Sequence, residues 1–164
     1  MLLSPLQLRK SYIEEFFYKA NPDFEADKSG KQNGFKVYFQ TGAVEKDPLK
    51  KRIRLTIIQE LEKDSNVPYE FKVVLVGFFE IQKKYYEESG AEKAERMAVV
   101  NGPSVLYSAA RELLGLISGR GPYRNDNVEI LLPTISFLNF EGKEEKAKKR
   151  PGQKIEDKKI KARL

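Results

Sequence analysis

The sequence predicts an α+β fold in which an antiparallel sheet comes first along the chain and helices follow it. Apolar and polar residues alternate in residues 35–41 and again in 52–58, a pattern typical of strands with one covered face. Short turn signals such as Asp47-Pro48 and Asn66-Val67-Pro68 follow these stretches, and connections this short join antiparallel neighbours. Beyond residue 91 the apolar spacing becomes helical.

A third strand is predicted for residues 69–82, and it differs from the other two. Phe71, Val73 and Leu75 lie on one of its faces, while Val74 and Val76 lie on the other. Apolar residues on both faces are typical of a strand inside a sheet.

The N-terminal stretch is ambiguous. Its apolar residues recur at roughly helical spacing, yet Leu6, Leu8 and Tyr12 also fit a strand with one irregular step. Periodicity alone does not decide between helix and strand. Asn21-Pro22 ends whichever element it is.

Two helices are predicted after the strands, separated by Asn101-Gly102-Pro103. The second begins with Pro103 in its first turn, and its apolar arc is too wide for one sheet to cover. Another subunit could bury the remaining surface, and so could the terminal segments of the same chain; the sequence leaves both open. The residues assigned to contact with another subunit are Tyr107, Ala110, Arg111 and Leu114.

The composition excludes several classes of chemistry. The chain has 164 residues, which fits one domain, and it contains no cysteine and no histidine. Disulfides, thiolate nucleophiles, histidine bases and Cys or His zinc sites are therefore excluded. No phosphate-binding, calcium-binding or nucleophile motif is present either. We expect no enzyme activity, no cofactor and no metal, and, with no signal peptide or membrane span, a cytoplasmic location.

The net charge of +6 is concentrated near the C-terminus. Residues 141–164 contain 10 Lys or Arg and 5 Asp or Glu, a net +5 that leaves +1 for residues 1–140. We assign a domain to 1–140 and a disordered basic tail to 141–164, since the tail has few apolar residues to bury. A basic tail can bind phosphates, so nucleic acid is the alternative partner. Interspersed acids and the absence of aromatic residues argue against it.

Residues 101–137 carry three motifs that resemble SecB and the SecB-like chaperones. The motifs are the helix Tyr107-Ser108-Ala109-Ala110-Arg111-Glu112, the turn Ser118-Gly119-Arg120-Gly121 and the segment Leu132-Pro133-Thr134-Ile135-Ser136-Phe137. The order of elements, strands first and a long helix last, matches as well. Arg111 and Glu112 face different directions in a helix, so we expect architectural roles for them and for the glycines of the turn.

The resemblance implies a four-stranded antiparallel sheet with helices on one side, assembled as a dimer of dimers. It favours a strand for the N-terminal stretch. It also implies ATP-independent binding of unfolded polypeptide in apolar grooves, with exported proteins or a single antitoxin as the client.

Adjacent aromatic residues agree with such a role. The chain has 8 Tyr and 10 Phe, and several stand in pairs such as Phe16-Phe17. Adjacent residues of a strand point to opposite faces, so one member of each pair is left outside a single core. The other interpretation is that the pairs pack both faces of a covered sheet. The residues assigned to client contact are Tyr38, Phe39, Phe78, Phe79 and Phe137.

One strand departs from what the resemblance implies. Secretory SecB proteins dock on the SecA motor through an acidic surface, whereas the matching strand here reads Phe71-Lys72-Val73-Val74-Leu75, without an acid. This argues against docking on SecA and favours the antitoxin role. Contact with a membrane is not expected.

Overall fold

The computed structural model describes residues 3–27, 34–62, 65–123, 128, 130–138 and the backbone of 158–161. The elements in chain order are β1 (Leu6–Ala20), β2 (Lys36–Val44), β3 (Asp47–Gln59), β4 (Tyr69–Ile81), α1 (Lys83–Ser89), α2 (Ala91–Ser118) and β5 (Lys158–Lys161). The first four strands and α2 confirm the predicted fold, a four-stranded antiparallel sheet with a long helix after it. The N-terminal stretch is a strand.

The sheet has the order β1-β4-β3-β2-β5, and all neighbours are antiparallel. Strand β4 lies inside it, between β1 and β3, which accounts for its two apolar faces. Val73 and Leu75 belong to the core on the face that α2 covers, which we call the inner face. Val74 and Val76 are buried on the opposite, outer face.

The hairpin between β2 and β3 turns at Glu45 and Lys46. Both residues have positive φ, 55° and 59°, as two-residue hairpin turns require to match the twist of a sheet. The turn thus lies just before the predicted signal, and Asp47 and Pro48 open β3. Proline is tolerated there because the start of a strand can spare an N–H donor.

Helix α2 is one continuous helix of 28 residues, so the predicted break at Asn101-Gly102-Pro103 is wrong. Pro103 removes one backbone hydrogen bond, but Gly102 and Pro103 are both buried, and this packing keeps the helix continuous. The helical segment is interrupted instead at Gly90, where φ is 81° between α1 and α2. Neither of these helices is long and apolar enough to cross a membrane.

The segment after α2 lies along the helix without forming a regular element in residues 130–136. Ile130, Leu132 and Phe137 are buried in the core. The Tyr107 hydroxyl donates a hydrogen bond to the Pro133 carbonyl at 2.8 Å. The chain's own terminal segment therefore covers part of the wide apolar arc of α2, which is one of the two covers that the sequence left open.

Strand β5 lies in the region for which the sequence predicts disorder. Its four residues pair with β2, with Lys161 opposite Tyr38 and Lys158 opposite Thr41. These four residues differ from the expectation because the edge of a sheet offers backbone partners even to a segment with few apolar residues. The other tail residues lie outside the described part of the chain.

Candidate functional site

The sheet separates the adjacent aromatic residues that the sequence assigned to client contact. Phe39 and Phe79 point inward and are buried, whereas their neighbours Tyr38 and Phe78 lie on the outer face and are partly exposed. Phe137 is buried too, edge-on to Phe39 with ring centroids 5.7 Å apart. Two of the five assigned residues therefore have surface to offer a client.

Three of the four residues assigned to contact with another subunit lie in the core of their own chain. Tyr107 is 4% exposed, and Ala110 and Leu114 are 0% exposed. They pack on the sheet and on the segment after α2, so they have almost no surface for a partner. Arg111 is exposed, and its guanidinium donates to the Thr134 hydroxyl at 3.4 Å.

Exposed apolar side chains concentrate on β1. This strand has a single strand neighbour in the described sheet, and no other strand whose side chains are described exposes large apolar residues to the same extent. The five residues are Leu8 at 40%, Tyr12 at 41%, Ile13 at 50%, Phe16 at 40% and Phe17 at 42%. The sequence flagged only the Phe16-Phe17 pair among them, as one of several adjacent aromatics.

Two irregularities in the pairing of β1 with β4 determine which face each of these side chains takes. Register shifts fall between Leu8 and Lys10 and between Ile13 and Glu15, so each inserts one unpaired residue. Following the partners along β4, Leu8, Ile13 and Phe16 lie on the inner face. Tyr12 and Phe17 lie on the outer face. Strand β1 therefore presents apolar groups on both sides of the sheet.

The inner-face residues of β1 form one apolar group. We call Leu8, Ile13 and Phe16 the inner strip. Helix α2 has exposed apolar residues of its own, Val105 at 43% and Leu116 at 57%. They lie about half a turn around the helix from Tyr107, whose ring contacts Phe137 at 6.0 Å between centroids, beside Phe39 of β2.

The outer face carries a second group, the outer patch, which comprises Tyr12, Phe17, Tyr38 and Phe78. The rings of Tyr12 and Phe78 are neighbours across β1 and β4, with centroids 6.3 Å apart. Aromatic rings combined with charged groups are characteristic of surfaces that bind other proteins.

Ion pairs between β1, β3 and β4 lie among these aromatic side chains. The carboxylate of Glu14 pairs with Arg54 and, at 3.7 Å, with Arg52, while Glu15 pairs with Lys72 at 2.7 Å. Beneath these long side chains Val74 and Val76 are 0% exposed, although no helix covers the outer face in the described residues. The aliphatic stems of the ion pairs therefore shield the centre of the sheet and leave the aromatic rings of the outer patch in water.

The turn motif after α2 meets a cluster of tyrosines. The rings of Tyr18 and Tyr69 stack with centroids 5.0 Å apart. A Cβ added to Gly121 would lie 2.7 Å from the Tyr69 hydroxyl and 2.8 Å from that of Tyr18, so only glycine fits there. Burial raises the pKa of the Tyr18 hydroxyl above its ordinary value, which keeps it protonated. The motif is therefore explained by packing.

No metal-ligating group of three or more acidic, histidine or cysteine side chains occurs within the described residues.

Comparison with solved structures finds a similar fold in a chaperone. The chain superposes on the Mycobacterium tuberculosis Rv1957 SecB-like chaperone, solved in complex with a ChAD peptide from the Rv1956 HigA1 antitoxin. The TM-score is 0.52 at 15% sequence identity, over 80% of this chain and 91% of that one. The likeness at this identity shows a SecB-like fold.

A second solved structure, a protein of unknown function from Streptococcus agalactiae, superposes with a TM-score of 0.42 at 15% identity, over 79% of this chain and 97% of that one. No protein-family model matches the chain. No curated protein matches it either.

Proposed function

We propose that this protein is an ATP-independent holdase, without chemistry of its own, that binds extended apolar segments of unfolded polypeptide. The observation that carries the proposal is the set of five apolar side chains left 40 to 50% exposed along β1. A surface of this kind is rarely left uncovered on a protein that has no partner. The fold supports the proposal, since the similar Mycobacterium chaperone was solved with an antitoxin peptide.

We take an antitoxin as the client in the first instance, and exported proteins as the other possibility. The outer face of β4 carries Lys72, Val74, Val76 and Phe78 between its two acids, Glu70 and Glu80. This arrangement does not favour docking on SecA, and it leaves the antitoxin role as the better supported of the two.

The apolar area exposed on one copy of the protein is too small to hold a client tightly. We therefore expect several copies to bind one client. Covering the exposed part of each of the four aromatic side chains of the outer patch contributes about 1 kcal/mol apiece. The sum of about 4 kcal/mol corresponds to a dissociation constant near the millimolar range, before any cost of ordering the client. Several copies acting on one unfolded chain would raise the apparent affinity by orders of magnitude.

We assign the two apolar surfaces to two different partners. The inner strip combines aliphatic and aromatic groups of β1 and has no ion pairs across it in the described residues, as expected of a contact between identical copies. The outer patch is aromatic and carries charges of both signs among its rings, which suits clients of varied sequence. On this assignment the copies associate through the inner strip, in the dimer of dimers that the resemblance implies, and clients bind the outer patch.

Size-exclusion chromatography with light scattering tests the proposal, using a chemically unfolded polypeptide and its folded form. The wild type is expected to be oligomeric, to form a complex with the unfolded chain and to ignore the folded one. In the outer variant, Tyr12→Ser with Phe17→Ser, client affinity should fall at least tenfold while the oligomer persists. In the inner variant, Ile13→Ser with Phe16→Ser, the oligomer should become smaller.

The matched control replaces two exposed lysines of the same strand, Lys10→Ser with Lys19→Ser, and should leave both readouts unchanged. A monomer that leaves the unfolded chain to aggregate would rule out the holdase. In that case, nucleic-acid binding that disappears when the chain is cut after residue 138 would establish the alternative function.

A further inference from the structure

The edge of the sheet opposite β1 is occupied by the chain's own tail. Without β5, the nine residues of β2 would form a free edge with unpaired N–H and C=O groups. Strand β5 pairs with the middle of β2, from Tyr38 to Thr41, over four residues. One edge of the sheet is therefore paired and the other is not, because β1 has no outer neighbour among the described residues.

The chain leaves the folded body close to this edge. Phe137 packs edge-on against Phe39, and Phe39 stands opposite Ile160 in the β2–β5 register. The tail therefore starts beside the strand to which it returns. The 20 residues from 138 to 157 can span far more than the width of the sheet, and a tether of this length gives the tail a millimolar effective concentration at β2.

The composition of β5 suits a strand that closes an edge. It reads Lys158-Lys159-Ile160-Lys161, with three lysines in four residues. Lysine on an outermost strand opposes the addition of further strands by charge repulsion and solvation. A short strand with a single apolar residue also binds weakly, so it can leave and return.

We infer that the edge of β2 is a strand-addition site, and that in the free protein its occupant is residues 158–161 of the same chain. The tail acts as a replaceable edge strand that denies β2 to other extended chains. Among the described strands, only β1 then keeps an edge open for backbone pairing. This inference concerns the chain alone and stands whether or not the protein is a holdase.

Hydrogen exchange of the β2 amides tests the inference. We would compare the full chain with a chain ending at residue 157 and with Ile160→Pro, which removes a donor and fixes φ in the middle of β5. The amides of residues 38–41 that point away from β3 should exchange at least tenfold faster in both variants. The amides of β4 should not change, which shows that the fold is intact. The matched control, Gln153→Pro, changes the same tail outside β5 and should exchange like the full chain.

A synthetic peptide of residues 155–164, added to the shortened chain, should restore the protection, and the same peptide with Ile160→Pro should not. Equal exchange of the β2 edge in all the proteins would overturn the inference. Protection that grows with protein concentration would overturn it as well, because the occupant would then be the tail of another copy.

Discussion

Gly102 of α2 lies directly over Ile53 of β3, so closely that a methyl group at position 102 would overlap the end of the Ile53 side chain. Ile53 is 0% exposed and has little room to move aside. Gly102→Ala is therefore expected to lower the free energy of unfolding by about 1–2 kcal/mol, even though alanine favours helices over glycine. Urea unfolding followed by circular dichroism measures it.

A control and a rescue accompany this substitution. At Gly115 of the same helix, the nearest atom to an added Cβ is the Ile130 carbonyl at 4.0 Å, so Gly115→Ala should stabilise the protein by about 0.5–1 kcal/mol. Combining Gly102→Ala with Ile53→Val, which removes the overlapping methyl group, should recover part of the loss. A destabilisation of equal size at both glycines would show that the overlap between residue 102 and Ile53 is not the cause of the loss.

Lys51 forms an ion pair that joins the sheet to the helix. Its side chain is buried on β3, and its ammonium pairs with the half-exposed carboxylate of Glu95 on α2. Glu95→Gln leaves a buried ammonium without its counter-charge and should cost about 1–3 kcal/mol. Lys51→Met removes charge and desolvation together and should be nearly neutral.

The exposed pair of Lys36 and Glu60, 2.8 Å apart, provides the comparison. Glu60→Gln should leave the free energy of unfolding almost unchanged, since exposed pairs contribute little. Thermal unfolding at low and moderate salt distinguishes the two pairs. Equal effects of the substitutions at Glu60 and Glu95 would contradict the larger cost that we expect from leaving the buried Lys51 ammonium without its counter-charge.

Ser118 ties the end of α2 to the segment that follows it. Its hydroxyl donates to the Leu114 carbonyl at 2.8 Å and accepts the Ile130 N–H at 2.8 Å, and the residue is fully buried. Ser118→Ala leaves that N–H unpaired and should cost about 1–3 kcal/mol. Ser108→Ala is the control, because the exposed Ser108 hydroxyl bonds only to Ser104 of its own helix. Denaturant unfolding should show little change there.

Stability at alkaline pH should depend on Tyr107. Burial raises the pKa of its hydroxyl to about 12, against a weaker opposing effect of Arg111. The unfolded chain loses this proton near pH 10, before the folded one does, so stability should fall between about pH 10 and 12, by up to about 1.4 kcal/mol per pH unit. In Tyr107→Phe that part of the slope should disappear. Tyr12→Phe, on the exposed strand, should keep it.

The ambiguity of the N-terminal stretch has a structural cause. Each bulge in β1 lengthens the spacing between successive inner-face residues from two to three, first from Leu8 to Ser11 and then from Ile13 to Phe16. Steps of three imitate the period of a helix. The alternating strands β2, β3 and β4 contain no such interruption along their mutual pairing except at the turn, so their prediction from sequence is confirmed.

Other features depend on contacts that no local pattern encodes. Asn101-Gly102-Pro103 has the composition of a helix break, and only the packing of Gly102 on Ile53 explains why the helix continues. Likewise, Tyr38 and Phe39 are adjacent aromatic residues, and nothing in the local sequence says which of them faces water. That depends on the side of the sheet that α2 covers. The sequence could thus predict the alternation of the aromatic residues but not the identity of the exposed members.

The bulges of β1 also set a limit on what can pair with the edge that lacks a neighbour in the described sheet. They divide the strand into regular runs of three, four and six residues, Leu6–Leu8, Lys10–Ile13 and Glu15–Ala20. A straight incoming strand can stay in register with only one of these runs at a time. The edge therefore favours short extended segments over long uninterrupted ones, which limits its capacity to template the growth of fibrils.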